Sequence, residues 1–270
     1  MDRSLHITGV KHRNDIDGLR AIAVLSVIFF HANFEVMSGG FLGVDAFFAI
    51  SGFLITSIVF REIDLGKFTI SNFFVRRIKR ILPAALFVTL TTGLLGWFIL
   101  MPVLYKEFFQ SSFALSFFST NFLFIAKNSS YFSQATELKP FIHTWTLAIE
   151  EQFYIFFPFF ALILYRTKQK ISLIVTLCIL SFVIQYFLSG WNSSFGFYMS
   201  IGRFWELGLG CLSAVAMRYE KNITNSPKIL KQALSIFGLF AMLIMQVFFE
   251  QLQFSDQLGS AIVVISTCLI

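Results

Sequence analysis

The sequence predicts an all-α fold, a polytopic transmembrane helical bundle of about eight spans plus a re-entrant segment. Three observations carry this. Of 270 residues, 56% are apolar and only 13% are charged, roughly half the charged share of a soluble domain, so a water-exposed monomer would leave large apolar patches uncovered. The apolar residues are gathered into runs near the roughly 20 residues a helix needs to cross a ~30 Å hydrocarbon layer. Finally, 21 basic against 15 acidic residues give a net charge of +6, and the basic residues cluster between the runs. That is the pattern of cytoplasmic loops and not of a nucleic-acid-binding surface. Cys178, Cys211 and Cys268 all lie inside apolar runs, where they read as small packing side chains and not as a disulfide or metal framework.

The runs follow in order. The first run is Leu19–Val36, and the opening segment Met1–Arg20 carries Arg3, Lys11, Arg13 and Arg20, which puts the N-terminus in the cytoplasm. It is too long for a signal core, lacks a small-residue cleavage site and is followed at once by Phe41–Phe60, so it reads as a span. Next come a basic stretch from Arg61 to Arg80 and the run Pro83–Leu100. Leu147–Tyr165 and Ile171–Leu188 flank the basic turn Arg166–Lys170. Phe204–Met217 precedes Arg218, Lys221, Lys228 and Lys231, and Ala233–Phe249 and Leu258 onward complete the set. The last run has no polar flank, so the native protein is expected to be longer. Residues 1–270 read as one transmembrane domain without internal repeats.

Phe108–Ala126 stands apart because Gln110, Ser111, Ser112, Ser116, Ser119, Thr120 and Asn121 interrupt it. If it crosses, two later basic loops fall outside; if it does not, every basic cluster falls inside. It is therefore read as re-entrant or interfacial, with its hydroxyls facing protein or a wet cavity, and Lys127–Thr144 on the outer side.

Ionisable groups inside spans are costly and are functional candidates by default. Arg20 and His31 are eleven residues apart, about 16 Å along a helix and close to three full turns, so they share one face with His31 near mid-membrane. A lone histidine there is either a packed, hydrogen-bonded residue or a titratable group lining a passage, imidazole being the usual base near neutral pH. In His143-Thr-Trp-Thr-Leu-Ala-Ile-Glu150-Glu151-Gln-Phe-Tyr154, helical spacing puts His143 with Glu150 and Glu151 with Tyr154. Two adjacent carboxylates entering an apolar helix need a partner or water; the alternative is an interfacial helix start. In Arg76-Arg77-Ile-Lys79-Arg80, Arg77 and Arg80 project together at a helix start. Arginine forks suit phosphate oxygens, although a basic loop alone serves equally as a topology signal. Arg203 and Glu206 can pair at i,i+3, with Gly208 and Gly210 allowing close helix approach. Asp45 enters the second span.

These blocks together resemble the membrane acyltransferase-3 family of polytopic O-acyltransferases. The similarity runs through Ile16-Asp17-Gly18-Leu19-Arg20…His31, Gly40-Phe-Leu-Gly-Val-Asp45…Ser51-Gly52, Arg77-Ile-Lys-Arg80-Ile-Leu-Pro83, the His143–Tyr154 block and Arg203-Phe-Trp205-Glu206-Leu, in the right order along essentially the whole chain. Thr146 and Ala148 depart from serines common in the family. The resemblance implies transfer of an acyl group, here read as acetyl, from cytoplasmic acyl-CoA to a hydroxyl of a cell-envelope glycan. Acetyl-CoA would be the cosubstrate, no metal would take part, and the site would lie in a bacterial plasma membrane. Its implied roles are His31 as general base or transient acyl acceptor with Arg20, and His143, Glu150 and Glu151 toward the outer end. Arg77 and Arg80 with Arg76 would hold donor phosphates, and Asp45, Ser51, Tyr154, Arg203 and Glu206 would support. The family has about ten spans, sometimes followed by, or working with, an extracytoplasmic acyltransferase domain. The rival from another class is a proton-coupled solute transporter using the same ionisable groups, which inverted repeats or Gly/Pro-broken helices in matching positions would favour; a third is a non-catalytic scaffold.

Overall fold

The structure, a computed structural model, describes residues 13–127, 131, 139–219 and 227–270. Among the described residues the regular structure is entirely helical. Eight helices coincide with the eight expected spans: α1 Asn14–His31, α2 Gly43–Asp64, α3 Ile70–Ile99, α6 Thr144–Arg166, α7 Lys170–Trp191, α9 Ser200–Tyr219, α10 Lys228–Leu252 and α11 Asp256–Leu269. Five segments are long and apolar enough to cross a membrane: Gly40–Asp64 (α2 with the single 3-10 turn before it), α3, α6, α7 and α10. The protein is a multi-pass membrane protein by that measure. Of the remaining three, α1 carries Asp15, Asp17 and Arg20, α9 carries Arg203 and Glu206, and α11 has 14 residues. Arg3, Lys11, Lys221 and most of the loop between Lys127 and Thr144 lie outside the described residues.

Phe108–Ala126 is two helices, α4 Pro102–Ser116 and α5 Thr120–Ala126. The turn between them puts Phe118 at φ +50°, a left-handed conformation that a bulky residue adopts only when held there. What holds it is a hydrogen bond from Gln152 Nε2 to its carbonyl oxygen at 2.7 Å. Fifteen and seven residues are about 22 and 10 Å of helix, so neither piece alone spans a bilayer. Of the two expected surroundings for the hydroxyls, protein or a wet cavity, protein carbonyls satisfy four. Ser112, Ser116 and Ser119 bond back to Phe108, Ser112 and Ala114, and Thr120 bonds to Thr144, the local alternative that lets short polar side chains sit in apolar helices.

Two other expectations about boundaries need correction. The first helix ends at His31, not at Val36, because Asn33 takes a left-handed conformation (φ +56°). The amide of Ala32 bonds back to Ile28, that of Asn33 to Phe30 and that of Phe34 to Phe29, closing off the last turn. His31 is thus the terminal residue of α1, exposed, with its ring edge-on to Phe30 at 5.5 Å. The third helix begins thirteen residues before Pro83. Thr69 caps it by accepting from the Asn72 amide, and the basic cluster lies inside a continuous 30-residue helix instead of at its start.

The chain forms two compact units, Met1–Ile58 with Leu209–Ile270, and Val59–Gly208. In the first, close approach is purchased with glycine. A Cβ at Gly40 would meet the Ser26 carbonyl oxygen at 2.2 Å, and one at Gly210 the Ala49 carbonyl oxygen at 1.9 Å. The core there is Leu42, Ala46, Phe48, Ile55, Val215, Met242, Val263 and Val264. In the second unit the core gathers on α6, whose Trp145, Ile149, Phe157 and Leu164 are buried with Phe73, Phe108, Phe124 and Tyr198. Tyr198 closes the short helix α8 Ser193–Tyr198, which is capped by Asn192 accepting from the Ser194 and Phe195 amides.

Candidate functional site

Within the second unit, α3 and α6 bring two separately read motifs together. The Arg77 guanidinium lies over the Tyr154 ring at 4.7 Å and over Phe73 at 5.7 Å. One helical turn before Tyr154, Glu151 is 7% exposed, and its Oε1 has no hydrogen-bond partner among the described residues. The charges it feels are Glu150, Arg77 and Arg80. The sequence suggested arginines at the cytoplasmic end and Glu150 and Glu151 toward the outer end; the packing of Arg77 on Tyr154 instead joins the two motifs. Among the described residues, a cation seated on ring faces and a carboxylate oxygen without a donor form a pair of groups that a ligand with both polarities can engage.

Arg76 and Arg80 differ from Arg77. Arg76 Nη2 contacts Glu62 Oε2 at 2.7 Å, tying α3 to the end of α2, where the Tyr165 hydroxyl also donates to Asp64 at 2.8 Å. Arg80 is exposed, one turn beyond Arg77 on the same side of α3.

The Arg203–Glu206 pair is a direct ion pair in which Glu206 Oε2 is left buried without a hydrogen bond among the described residues. Arg203 Nη1 donates to Glu206 Oε1 at 2.8 Å and its Nε donates to the Phe197 carbonyl oxygen at 3.0 Å. Its guanidinium lies over Phe197 at 4.8 Å and Trp145 at 5.6 Å. Both side chains are buried. Gly208, as expected, permits close approach: a Cβ there would lie 2.5 Å from Cys178 Sγ.

Next to this pair the structure adds a network that the sequence reading did not single out. Asn121 Nδ2 donates to the Tyr198 carbonyl oxygen and to Ser200 Oγ, Gln152 Nε2 donates to Asn121 Oδ1, and the Ser200 hydroxyl donates to Gln152 Oε1. Asn121 was visible as an interruption and Gln152 as the neighbour of two carboxylates, but their mutual contact depends on the broken α4–α5 hairpin. The Tyr198 hydroxyl is buried without a hydrogen-bond partner among the described residues, and burial pushes its phenol well above the usual range, so it stays protonated. His143 stands at the N-cap of α6 with helical φ and ψ of -63° and -15°, exposed, with its carbonyl accepting from Thr146 Oγ1.

In the first unit, α1 is unbroken from Arg20 to His31, so the two do share a helix face. Arg20 lies 3.8 Å from Asp17. Asp45 is buried and accepts from the Ser260 hydroxyl at 2.7 Å, and Ser51 is half-buried in the middle of α2. Among the described residues no group of three or more His, Cys, Asp or Glu side chains could hold a metal ion.

Residues 13–270 match the family described as "Acyltransferase domain". Similar proteins include an O-acetyltransferase OatA of Staphylococcus aureus strain NCTC 8325 / PS 47, 40% identical over 210 residues, which are 74% of this chain and 34% of that one. The OatA of strain COL matches with the same figures. A provisionally named O-acetyltransferase of strain MSSA476 is 34% identical over 247 residues, 89% of this chain and 41% of that one. The chain therefore spans between a third and about two-fifths of the length of the curated relatives it matches. No solved structure gives a significant match.

Proposed function

The chain belongs to this acyltransferase family, and we propose that it carries out O-acyl transfer, moving an acetyl group from cytoplasmic acetyl-CoA to a hydroxyl of a cell-envelope glycan. The bilayer would be the bacterial plasma membrane with the N-terminus inside. The observation that carries this reading is the open Arg77–Glu151 arrangement in a family whose similar members are named O-acetyltransferases.

The thioester supplies an activated carbonyl; the side chains supply the rest. Arg77 and Arg80, one turn apart, suit the phosphates of the donor. Arg76 contributes less, being paired with Glu62. His31, at the end of α1, accepts the proton of the attacking hydroxyl, or accepts the acyl group itself and passes it on. As the new ester C–O bond forms and the C–S bond breaks, the proton taken from the hydroxyl goes to the coenzyme A thiolate. Arg20 on the same face of α1, and Asp45 in the same unit, set the charge around the imidazole. Glu151 and Glu150 orient the acceptor hydroxyl, with Tyr154 seating Arg77. Arg203 and Glu206 hold α9 and α8 in register, and His143 and Ser51 stand at the margins. An extracytoplasmic domain, in the same chain or separate, would complete delivery to the glycan.

The test is made on the full-length protein in membranes: consumption of acetyl-CoA and acetylation of the glycan, for wild type and for His31→Ala. The reading predicts thioester-dependent acetylation that His31→Ala abolishes while the protein still accumulates. Unchanged acetylation removes His31 from the mechanism, and solute flux without thioester consumption replaces transfer by transport.

A further inference from the structure

Helix α10 is kinked at Phe248, whose φ of -108° and ψ of 22° leave the helical region. The surrounding stretch Met245-Gln-Val-Phe-Phe-Glu250 holds neither proline nor glycine. The remaining cause of a sharp kink is a group inserted into the backbone ladder, and one is there. The Ser38 hydroxyl donates to the Val247 carbonyl oxygen at 3.3 Å and accepts from the Glu250 amide at 3.4 Å, and the Gly39 amide donates to the Gln246 carbonyl oxygen at 3.0 Å. The Gln246 carbonyl and the Glu250 amide are the two partners of one rung of a regular helix, and both are engaged by the Ser38–Gly39 segment. Glycine permits the approach: a Cβ at Gly39 would run into the Met245 carbonyl oxygen and lie 2.6 Å from Phe249 Cβ.

The same place is joined to the end of α1 by a run of ring contacts. Phe249, the residue after the kink, meets Phe41 at 5.2 Å; Phe41 meets Phe30 at 5.5 Å; and Phe30 meets the His31 ring at 5.5 Å. Each pair is tilted or edge-on, the arrangements that aromatic quadrupoles favour. Phe41 and Phe249 are buried, and a Cβ at Gly40 would lie 2.9 Å from Phe30 Cβ, so the contacts are tight at the backbone as well. All of these residues belong to the first unit. Close-packed interiors pass a displacement on instead of absorbing it. The kink in α10 and the imidazole at the end of α1 are therefore mechanically connected, with Ser38 seated at one end of the connection and His31 at the other.

We propose that Ser38 is a positioning residue for acyl transfer: seated in the kink of α10, its hydroxyl fixes, through Phe249, Phe41 and Phe30, where the His31 ring stands. The inference rests on the acyl-transfer reading given above and on the role given there to His31. It accounts for a departure from helical geometry that no residue of α10 requires. Such departures persist where the surroundings impose them, and they gather at functional sites. A reacting group displaced by about 1 Å loses rate by up to about a hundredfold without any loss of substrate affinity, so the contribution of Ser38 belongs to kcat.

The experiment compares wild type, Ser38→Ala, Ser38→Thr, Phe41→Leu and the double variant Ser38→Ala with Phe41→Leu as full-length protein, measuring KM for acetyl-CoA and kcat per folded molecule. Ser38→Ala is expected to lower kcat at least about tenfold and leave KM within about threefold. Ser38→Thr, which keeps the hydroxyl, should recover most of that rate. The double variant should lose less than the product of the two single losses, because both act along one path. A Ser38→Ala protein with wild-type kcat per folded molecule, or a Ser38→Thr protein as slow as Ser38→Ala, overturns the inference. Phe41→Leu is read by the same kcat and KM outcomes if Ser38→Ala does not accumulate. A wild type that transfers no acyl group, or a fully active His31→Ala, overturns the functional reading and this inference with it. An active wild type, an inactive His31→Ala and an unaffected Ser38→Ala overturn the inference alone.

Discussion

Two arginine–glutamate arrangements lie in the same helical unit, and they are built in opposite ways. Around Arg203 one nitrogen is on Glu206, one is on the Phe197 carbonyl, and the guanidinium lies over Phe197 and Trp145, while Glu206 Oε2 stays buried without a hydrogen bond among the described residues. Among the described residues Arg77 contacts the ring faces of Phe73 and Tyr154, while Glu151, whose charge it feels, keeps an oxygen without a donor. Both are charges in apolar helices and look equally functional in the sequence. Each leaves one buried carboxylate oxygen without a donor, and what separates them is direct contact: the charges of Arg203 and Glu206 meet at 2.8 Å and hold the helix, and those of Arg77 and Glu151 do not meet in this way and are left to a ligand.

The largest effect should come from breaking the direct pair. Arg203→Leu leaves Glu206 buried and uncompensated and is expected to cost about 3–5 kcal/mol, read as a lowered unfolding midpoint in detergent. Replacing both together, Arg203→Met with Glu206→Leu, should recover most of that loss, and transfer should follow the amount of folded protein. Arg77→Ala should behave the other way round. It removes only stacking, about 0.5–2 kcal/mol, yet should raise KM for acetyl-CoA at least about tenfold. Equal stability losses at Arg203 and Arg77 would erase the distinction. Arg76→Ala is the smallest effect: its partly exposed pair with Glu62 is worth less than about 1 kcal/mol, and transfer rates should stay at the wild-type value.

How much of this was legible beforehand depended on range. The helices were readable because each needs only its own apolar run: all eight runs fall on helices, and five of the segments are long and apolar enough to cross a membrane. The i,i+3 pairing of Arg203 with Glu206 was readable for the same reason. What failed was set by single backbone residues or by contacts between distant helices. Asn33 in the left-handed region stops α1 at His31, although the apolar run continues to Val36. Phe118, held by Gln152, splits an apparent span into two short helices. Thr69 starts α3 early enough to carry the basic cluster within it. The meeting of Arg77 with Tyr154 and the seating of Ser38 on α10 are tertiary facts, to which no periodicity in any one helix points.

The central claim is that a charge left open by packing is open for chemistry, and Glu151 tests it most directly. Glu151→Gln keeps the shape of the side chain and removes a charge from a buried site, so stability should hold or rise. In full-length protein supplied with labelled acetyl-CoA, transfer of label to glycan should fall at least about tenfold against wild type at equal amounts of folded protein. Transfer at the wild-type rate would contradict the account, making Glu151 a buried carboxylate with no part in the reaction.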